Sequence, residues 1–385
     1  MMALRKTAVL FTVISLSLTV LPDIAQADIT LLNRNNSVPM LDGLELQVGG
    51  FLRPQYRNKM GSADDGTYMQ RGYDSGSLVH TSINYYLNDN ISVLWYYEVS
   101  FDIFNELGSS SHYDHHKDTT YIRKNYYGIS SQTFGTLTFG QQNSVYYSVI
   151  GAKTDLWDND EHGQASGNGV NGNFDGSFRA KQLLKYVVDA GPVTLSTSWD
   201  APMDDYYVES DNVRYQRQTG GALGIDYHVT KDVTLSAAYS YTRAYIINRT
   251  PVGNGEDTVG YNQQLTGVAA QWKPNNWTLA GSTGLFHDFI PLRQGRIPAK
   301  YFAGQARGWE YLAAYRWPLN RRFISAVKPY VAGDGMRWDN YHAIHSYLGI
   351  ATELPYGFQI DYEHTFSNTT DNQPDENWVR LWYRF

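Results

Sequence analysis

The segment "SFRAKQLLKYV" places Arg179, Lys181 and Lys185 at i, i+2 and i+6. In an extended strand, whose side chains alternate with period two, that spacing puts three cations on one face. Immediately before it, residues 143–177 form the longest stretch without alternation, and they carry the acids Asp155, Asp158, Asp160 and Glu161. Arg123, Arg53 and Glu98 add further charge on the polar faces of alternating segments. Cations held on one side of a wet gap, with carboxylates on the other, set up a field across it that sorts solutes by charge and dipole. This is the chemistry of orientation rather than of bond making. No Ser/His/Asp set stands out as a positioned nucleophile, base and orienter. The His-rich run "HYDHHKD" (112–118) reads as a loop without a scaffold for a metal. No cofactor or metal is expected. Lys124 falls on the opposite face from Arg123, with Ile122 and Tyr126, where a subunit interface would shelter it.

Such charges need a rigid frame, and the alternation supplies one. In "DVTLSAAYSYTRAY", Val233, Leu235, Ala237, Tyr239 and Tyr241 fall on one face and Thr234, Ser236, Ala238, Ser240 and Thr242 on the other. "NISVLWYYEVSF" sets Ile91, Val93, Trp95, Tyr97, Val99 and Phe101 against Ser92, Tyr96, Glu98 and Ser100. The same pattern recurs along the chain and yields sixteen strands, an even number, the first near 44–57 and the last at 376–385. Tight turns ("LNDN", "SQTFG", "VDAG", "VTKD", "KPNN", "ELPYG") alternate with mostly long connections. Loops of two lengths on two ends, joined by strands of about ten residues, describe a membrane β-barrel better than a soluble sandwich.

Composition agrees. There are 31 Tyr, 10 Trp and 34 Gly, and the many aromatics suit interfacial girdles. Mean hydropathy is negative. The N-terminus has Arg5 and Lys6, an apolar run to about Leu21 and Ala25-Gln26-Ala27, which predicts a signal peptide over residues 1–27 and a barrel over 28–385. Cysteine is absent, so no disulfide frame holds an exported chain. The net charge of −7 gives no basic footprint for nucleic acid. The chain ends "WVRLWYRF", with Val379, Leu381, Tyr383 and Phe385 on one face. A closed barrel explains this ending, because the last strand must pair with the first near Leu44–Tyr56.

With these features the sequence resembles the general porins of Gram-negative outer membranes, trimeric sixteen-stranded diffusion channels. The resemblance rests on the terminal strand ending in Phe385 and on "TYIRKNYYGISSQTFGTLTFGQQNSVYY". Its Arg123, Gly128, Gly135, Phe139 and Gly140 are similar to the family's fourth and fifth strands. Arg179 stands where a pore arginine is expected, and Asp155 resembles the family's first loop acid. The loop glutamate expected four residues on is Asn159, and a third basic position falls near Leu78, which is not basic.

The resemblance implies an inward-folded third loop at 143–177. It also implies a homotrimer in outer-membrane lipid and lipopolysaccharide, inserted by the barrel assembly machinery after export to the periplasm. The expected constriction comprises Arg123, Arg179, Lys181, Lys185, Arg53 and Glu98 on the wall and Asp155, Asp158, Asp160 and Glu161 on the loop. The expected function is passive diffusion of ions and small hydrophilic solutes, with no enzymatic activity. The alternative is a channel selective for oligosaccharides or other specific small solutes, in which Tyr96, Tyr127, Trp378 and Trp382 would stack on sugars.

Overall fold

The computed structural model describes residues 28–60, 70–74, 76–106, 120–155, 163–164, 172–208, 213–248, 257–289, 303–319 and 321–385. The expected signal peptide, the "HYDHHKD" run and Asp158, Asp160 and Glu161 lie outside the described residues.

Sixteen antiparallel staves close into one barrel. β1 is Leu44–Leu52 continued by Pro54–Lys59, and β2 is Gln70–Asp74 continued by Leu78–Tyr86. β3 (Ile91–Phe101), β4 (Thr120–Ser131), β5 (Gly135–Asn143) and β6 (Arg179–Ala190) follow. β7 is Val193–Asp200 with Met203–Val208; β8 is Val213–Thr230, β9 Val233–Asn248 and β10 Asp257–Trp272. β11 is Trp277–Phe289, and β12 is Ala303–Tyr315 with Trp317–Pro318. The last staves are β13 (Ala326–Trp338), β14 (Tyr341–Glu353), β15 (Phe358–Thr369) and β16 (Glu376–Arg384).

Closure has the expected form. β16 pairs with β1 from Glu376↔Lys59 to Phe51↔Arg384, and Phe385 exchanges both backbone hydrogen bonds with Gly50, at 2.9 and 3.1 Å. Where β16 stops, the short strand Ile29–Leu32 pairs with Leu46–Val48 and covers the rest of the β1 edge. The seam therefore leaves little unpaired backbone, as a bilayer demands.

The alternating faces fall as the pattern requires. On β9 Leu235 and Tyr239 are exposed to the outside, while Ser236, Ala238, Ser240 and Thr242 are buried inside. An exposed apolar band on a polar-lined barrel is what lipid stabilises. The terminal strand obeys the same rule, with Val379 and Leu381 exposed and Arg380 buried.

Two expectations are corrected. A register shift between Glu98 and Val99 pairs Lys124 with Glu98 and Ile122 with Val99, so Arg123 is the extra residue of a β-bulge. Past the bulge the faces exchange: Lys124 and Tyr126 point inward, and Tyr127, 58% exposed, points outward. Neither a subunit interface for Lys124 nor an inward Tyr127 is needed. On β6 a second irregularity, with Gln182 at φ 54° and a register shift against β5, breaks the i, i+2, i+6 alignment. The i, i+2, i+6 spacing therefore does not by itself decide which way Arg179, Lys181 and Lys185 face. The long-loop end is mixed, as 'mostly long' allows: β13 and β14 are joined by Asp339 and Asn340 alone.

Candidate functional site

The described parts of residues 143–177 lie across the lumen. After β5 the chain turns through Tyr147–Gly151 into Ala152–Thr154. Val145, Tyr146, Val149 and Ile150 are buried against Ala238, Leu265, Ala269, Phe286, Ala306 and Met336, inward residues of β9 to β13. A lumen wall is ordinarily polar, so these apolar side chains form the footprint on which the loop lands. Hydrophobic burial holds this contact, and polar bonds fix its register. Glu310, buried on β12, accepts from Thr154 Oγ1 and, at 3.1 Å, from the Gly163 N–H. Gln164 donates to Ser282 Oγ at 2.9 Å, and Tyr146 O–H donates to Gln164 Oε1 at 2.9 Å. Lys153 pairs with Asp226 of β8 at 2.9 Å. At Gly163 the fit is so close that a Cβ would lie 2.2 Å from the Trp309 carbonyl oxygen.

The opposite wall, β1 to β6, carries the cations. Glu98 is buried on β3 and accepts from Arg123 Nε, Lys124 Nζ and Tyr96 O–H, each at 2.9 Å. Glu98 is thus not a facing acid; it neutralises part of the basic wall. A Cβ on Gly76 would lie 3.5 Å from both Arg123 Nη1 and Arg53 Nη2, so these guanidiniums converge on one point. Arg179 lies over the Phe178 ring at 3.9 Å and feels the charge of Arg123. The third guanidinium of the group therefore comes from Arg53 on β1 rather than from the second strand, where buried Leu78 stands. Lys185 donates to the Asn143 carbonyl at 3.0 Å and Ser148 Oγ at 2.9 Å, tying the loop's base to its own wall. Among the described residues Lys181 makes a hydrogen bond only through its backbone, its carbonyl accepting from Arg217 at 2.6 Å.

Asp155, at the end of the loop's helical turn, accepts from Tyr147 O–H at 2.5 Å. Asp175, just before β6, is buried, and burial pushes its carboxyl up to about 6 against the hydrogen bonds from Ser177. Three acids outside the sequence-derived set belong to the far wall: Glu310, Asp226 and Asp334, which His345 and Tyr347 contact. Glu310 sits between inward Ala306 and Leu312. A lone carboxylate on an otherwise apolar inner face was the available signal, but only once each residue's face is known.

The inward aromatics have occupied faces. Trp382 carries Arg384 at 4.3 Å and Arg53 at 4.7 Å over its ring, and its indole N–H donates to Asp361 at 2.6 Å. Arg57 lies over buried Trp378 at 5.1 Å. Tyr96 is stacked between His80 and Tyr126, at 5.5 and 5.2 Å. Little ring face is left open for a sugar.

The sequence model of the family described as Gram-negative porin matches residues 13–323. Among solved structures the chain is similar to OmpF of Salmonella typhi in complex with daunomycin, at 13% identity and a TM-score of 0.68, covering 93% of this chain and 100% of that one. A loop-deletion mutant of OmpT, an outer membrane protein of Vibrio cholerae, aligns at 14% identity and a TM-score of 0.61, covering 89% and 100%. The outer membrane channel DcaP of Acinetobacter baumannii aligns at 12% identity and 0.61, covering 89% and 98%. No curated protein matches at the sequence level.

Proposed function

The chain belongs to the Gram-negative porin family, and from that premise we propose how its aperture works. It is an outer-membrane channel for the passive diffusion of ions and small hydrophilic solutes. Family and fold point to a channel rather than an enzyme, and the reading assigns no catalytic step.

The observation that carries the finer reading is the loop pinned on β9 to β13 by Glu310, Ser282 and the apolar footprint. A barrel of sixteen strands left unobstructed encloses a wide channel. The bound loop narrows it and leaves the solute path between the loop and the basic wall. Arg53, Arg123, Arg179 and Lys185 line that wall, with Lys124 beside them and Glu98 as the neutralising acid. Asp155 stands on the loop, and Asp158, Asp160 and Glu161 belong to the same segment. Solutes orient across the gap, negative end toward the arginines, and bulky apolar solutes are slowed because ordered water must be displaced. Residues 1–27 are removed on export, and 28–385 form the barrel. It works as a homotrimer in lipid and lipopolysaccharide, placed there by the barrel assembly machinery. OmpT of Vibrio cholerae has been solved in a trimer form.

The test is single-channel conductance of the purified protein in a planar bilayer, with reversal potential under a salt gradient. Openings in groups of three, unaffected by maltose- or chitin-type oligosaccharides, are the expected result. Concentration-dependent block by either sugar would overturn the general channel in favour of a selective one. Silence from a folded, heat-modifiable barrel would overturn both.

A further inference from the structure

On the outer face of the barrel, charged and polar residues gather at the long-loop end of β11 to β14. There His287, Gln305, Arg307, Arg337, His342 and Asn368 line a groove of about 840 Å3. Parity places Arg307 and Arg337 outward, since their neighbours Ala306, Met336 and Trp338 are buried inward. The two arginines are direct cross-strand partners in the β12–β13 ladder, and His342 is opposite Arg337 in the next. Neither arginine has a hydrogen bond or ion pair with another described residue. The acids nearby are Asp288, 3.6 Å from His287, and Asp339 in the turn between β13 and β14.

This arrangement is unfavourable as it stands. Like charges directly opposite each other in a sheet repel. Cations on the lipid face cost several kcal/mol at midplane and become tolerable only near the interface. An anion from outside would remove the repulsion. The groove also has an apolar side, for Leu285 and Ile344 line it. On its β13–β14 side the groove is bounded by a connection of only Asp339 and Asn340. Cationic rim above, apolar residues alongside, and an opening toward the bilayer together match an amphiphile rather than a free ion.

We propose that this groove binds a phosphate-bearing lipid of the outer leaflet, with Arg307 and Arg337 holding one phosphate between them. His287 and His342 flank the arginine pair, and Leu285 and Ile344 meet the acyl chains. The site rests on the outer-membrane porin reading, which it deepens by locating one lipid on one face.

The test is native mass spectrometry of the purified oligomer titrated with bisphosphorylated lipid A. Phosphatidylethanolamine serves as the zwitterionic control and inorganic phosphate as competitor. Wild type is expected to retain lipid A over phosphatidylethanolamine. Replacing both residues (Arg307→Ala, Arg337→Ala) is expected to weaken retention about thirty-fold, at about 1 kcal/mol per arginine. The double Arg→Lys variant should keep most of it. Equal retention by wild type and the double Ala variant overturns the proposal. Displacement of lipid A by equimolar inorganic phosphate overturns it in favour of a free-anion site. An oligomer that falls apart in the Ala variant, with lipid retention intact, overturns it in favour of a contact between copies. Single-channel conductance of the same samples separates the two readings: a silent channel that still binds lipid A counts against the porin reading alone.

Discussion

The two walls of the lumen use charge in opposite ways. On β1 to β6 some charge keeps partial access to the lumen: Arg123 and Lys124 keep 16% and 20% of their side chains accessible while sharing buried Glu98. On β8 to β13 the acids are spent locally: Glu310 serves as a latch for Thr154 and Gly163, Asp226 pairs with Lys153 of the loop, and Asp334 is held by His345 and Tyr347. An exposed charge acts on what passes, because water leaves its field available; a buried one must be satisfied locally and so acts on what it holds. Equal numbers of Arg and Asp on the two walls would therefore not imply equal influence on a solute.

The comparison breaks most severely if the loop is lifted without altering any charge. A Cβ on Gly308 would meet the Gly163 carbonyl oxygen at 1.6 Å. Gly308→Val should therefore displace the loop from its footprint and give larger, noisier single-channel openings from a barrel that still migrates as folded. Unchanged conductance would show that the loop does not set the aperture.

Next in size is removal of the accessible charge. Replacing both Arg123 and Arg179 with Ala should move the reversal potential toward cation preference in a salt gradient, with a smaller effect at high salt, where screening shortens the field. The corresponding change on the far wall, Glu310→Gln, should leave ion preference nearly unaltered and loosen the loop instead. Equal shifts from the two walls would erase the distinction drawn between them.

Lys124 tests the bulge. If it faced lipid, Lys124→Leu would stabilise the barrel. Pointing inward and bonded to Glu98 at 2.9 Å, its loss should cost about 1–2 kcal/mol, read as a lower temperature for the heat-modifiable gel shift.

The smallest effect concerns Asp175. Its carboxyl is raised by burial from an ordinary 3.8 to about 6, so its ionisation opposes the folded loop. The favourable state is fully present below pH ~4 and is lost as pH rises through about 6. Asp175→Asn should remove that part of the decline: the variant's melting temperature gains on wild type by a few degrees between pH 4 and pH 7. A constant difference across that range would mean that Asp175 does not titrate as the loop's environment demands.

Several features were legible without a structure because they depend only on period two and on closure. The sixteen staves, the pairing of the last with the first, and the inward Arg380 and Trp382 all follow from alternation in segments without irregularities. The candidate site was legible in part. Arg53 and Arg123 converge beside Gly76, with Arg179 close to Arg123, but Lys124 and Tyr127 were assigned to the wrong faces. A single bulge residue exchanges inside and outside for everything beyond it, and neither "YIRKNYY" nor "RAKQLLK" shows where the extra residue sits. The far wall was not legible at all, since Glu310 acquires its role only from a loop more than a hundred residues away in sequence.

The sequence by itself determined that the chain is a closed membrane barrel with charged residues along its interior, because the hydrogen-bonding needs of backbone in lipid admit few other solutions for alternating strands of this length. Only the tertiary structure decided which charges face solutes and which hold the loop. Bulges set the faces, and cross-lumen packing sets the burial, and both arise from contacts between residues distant in the chain.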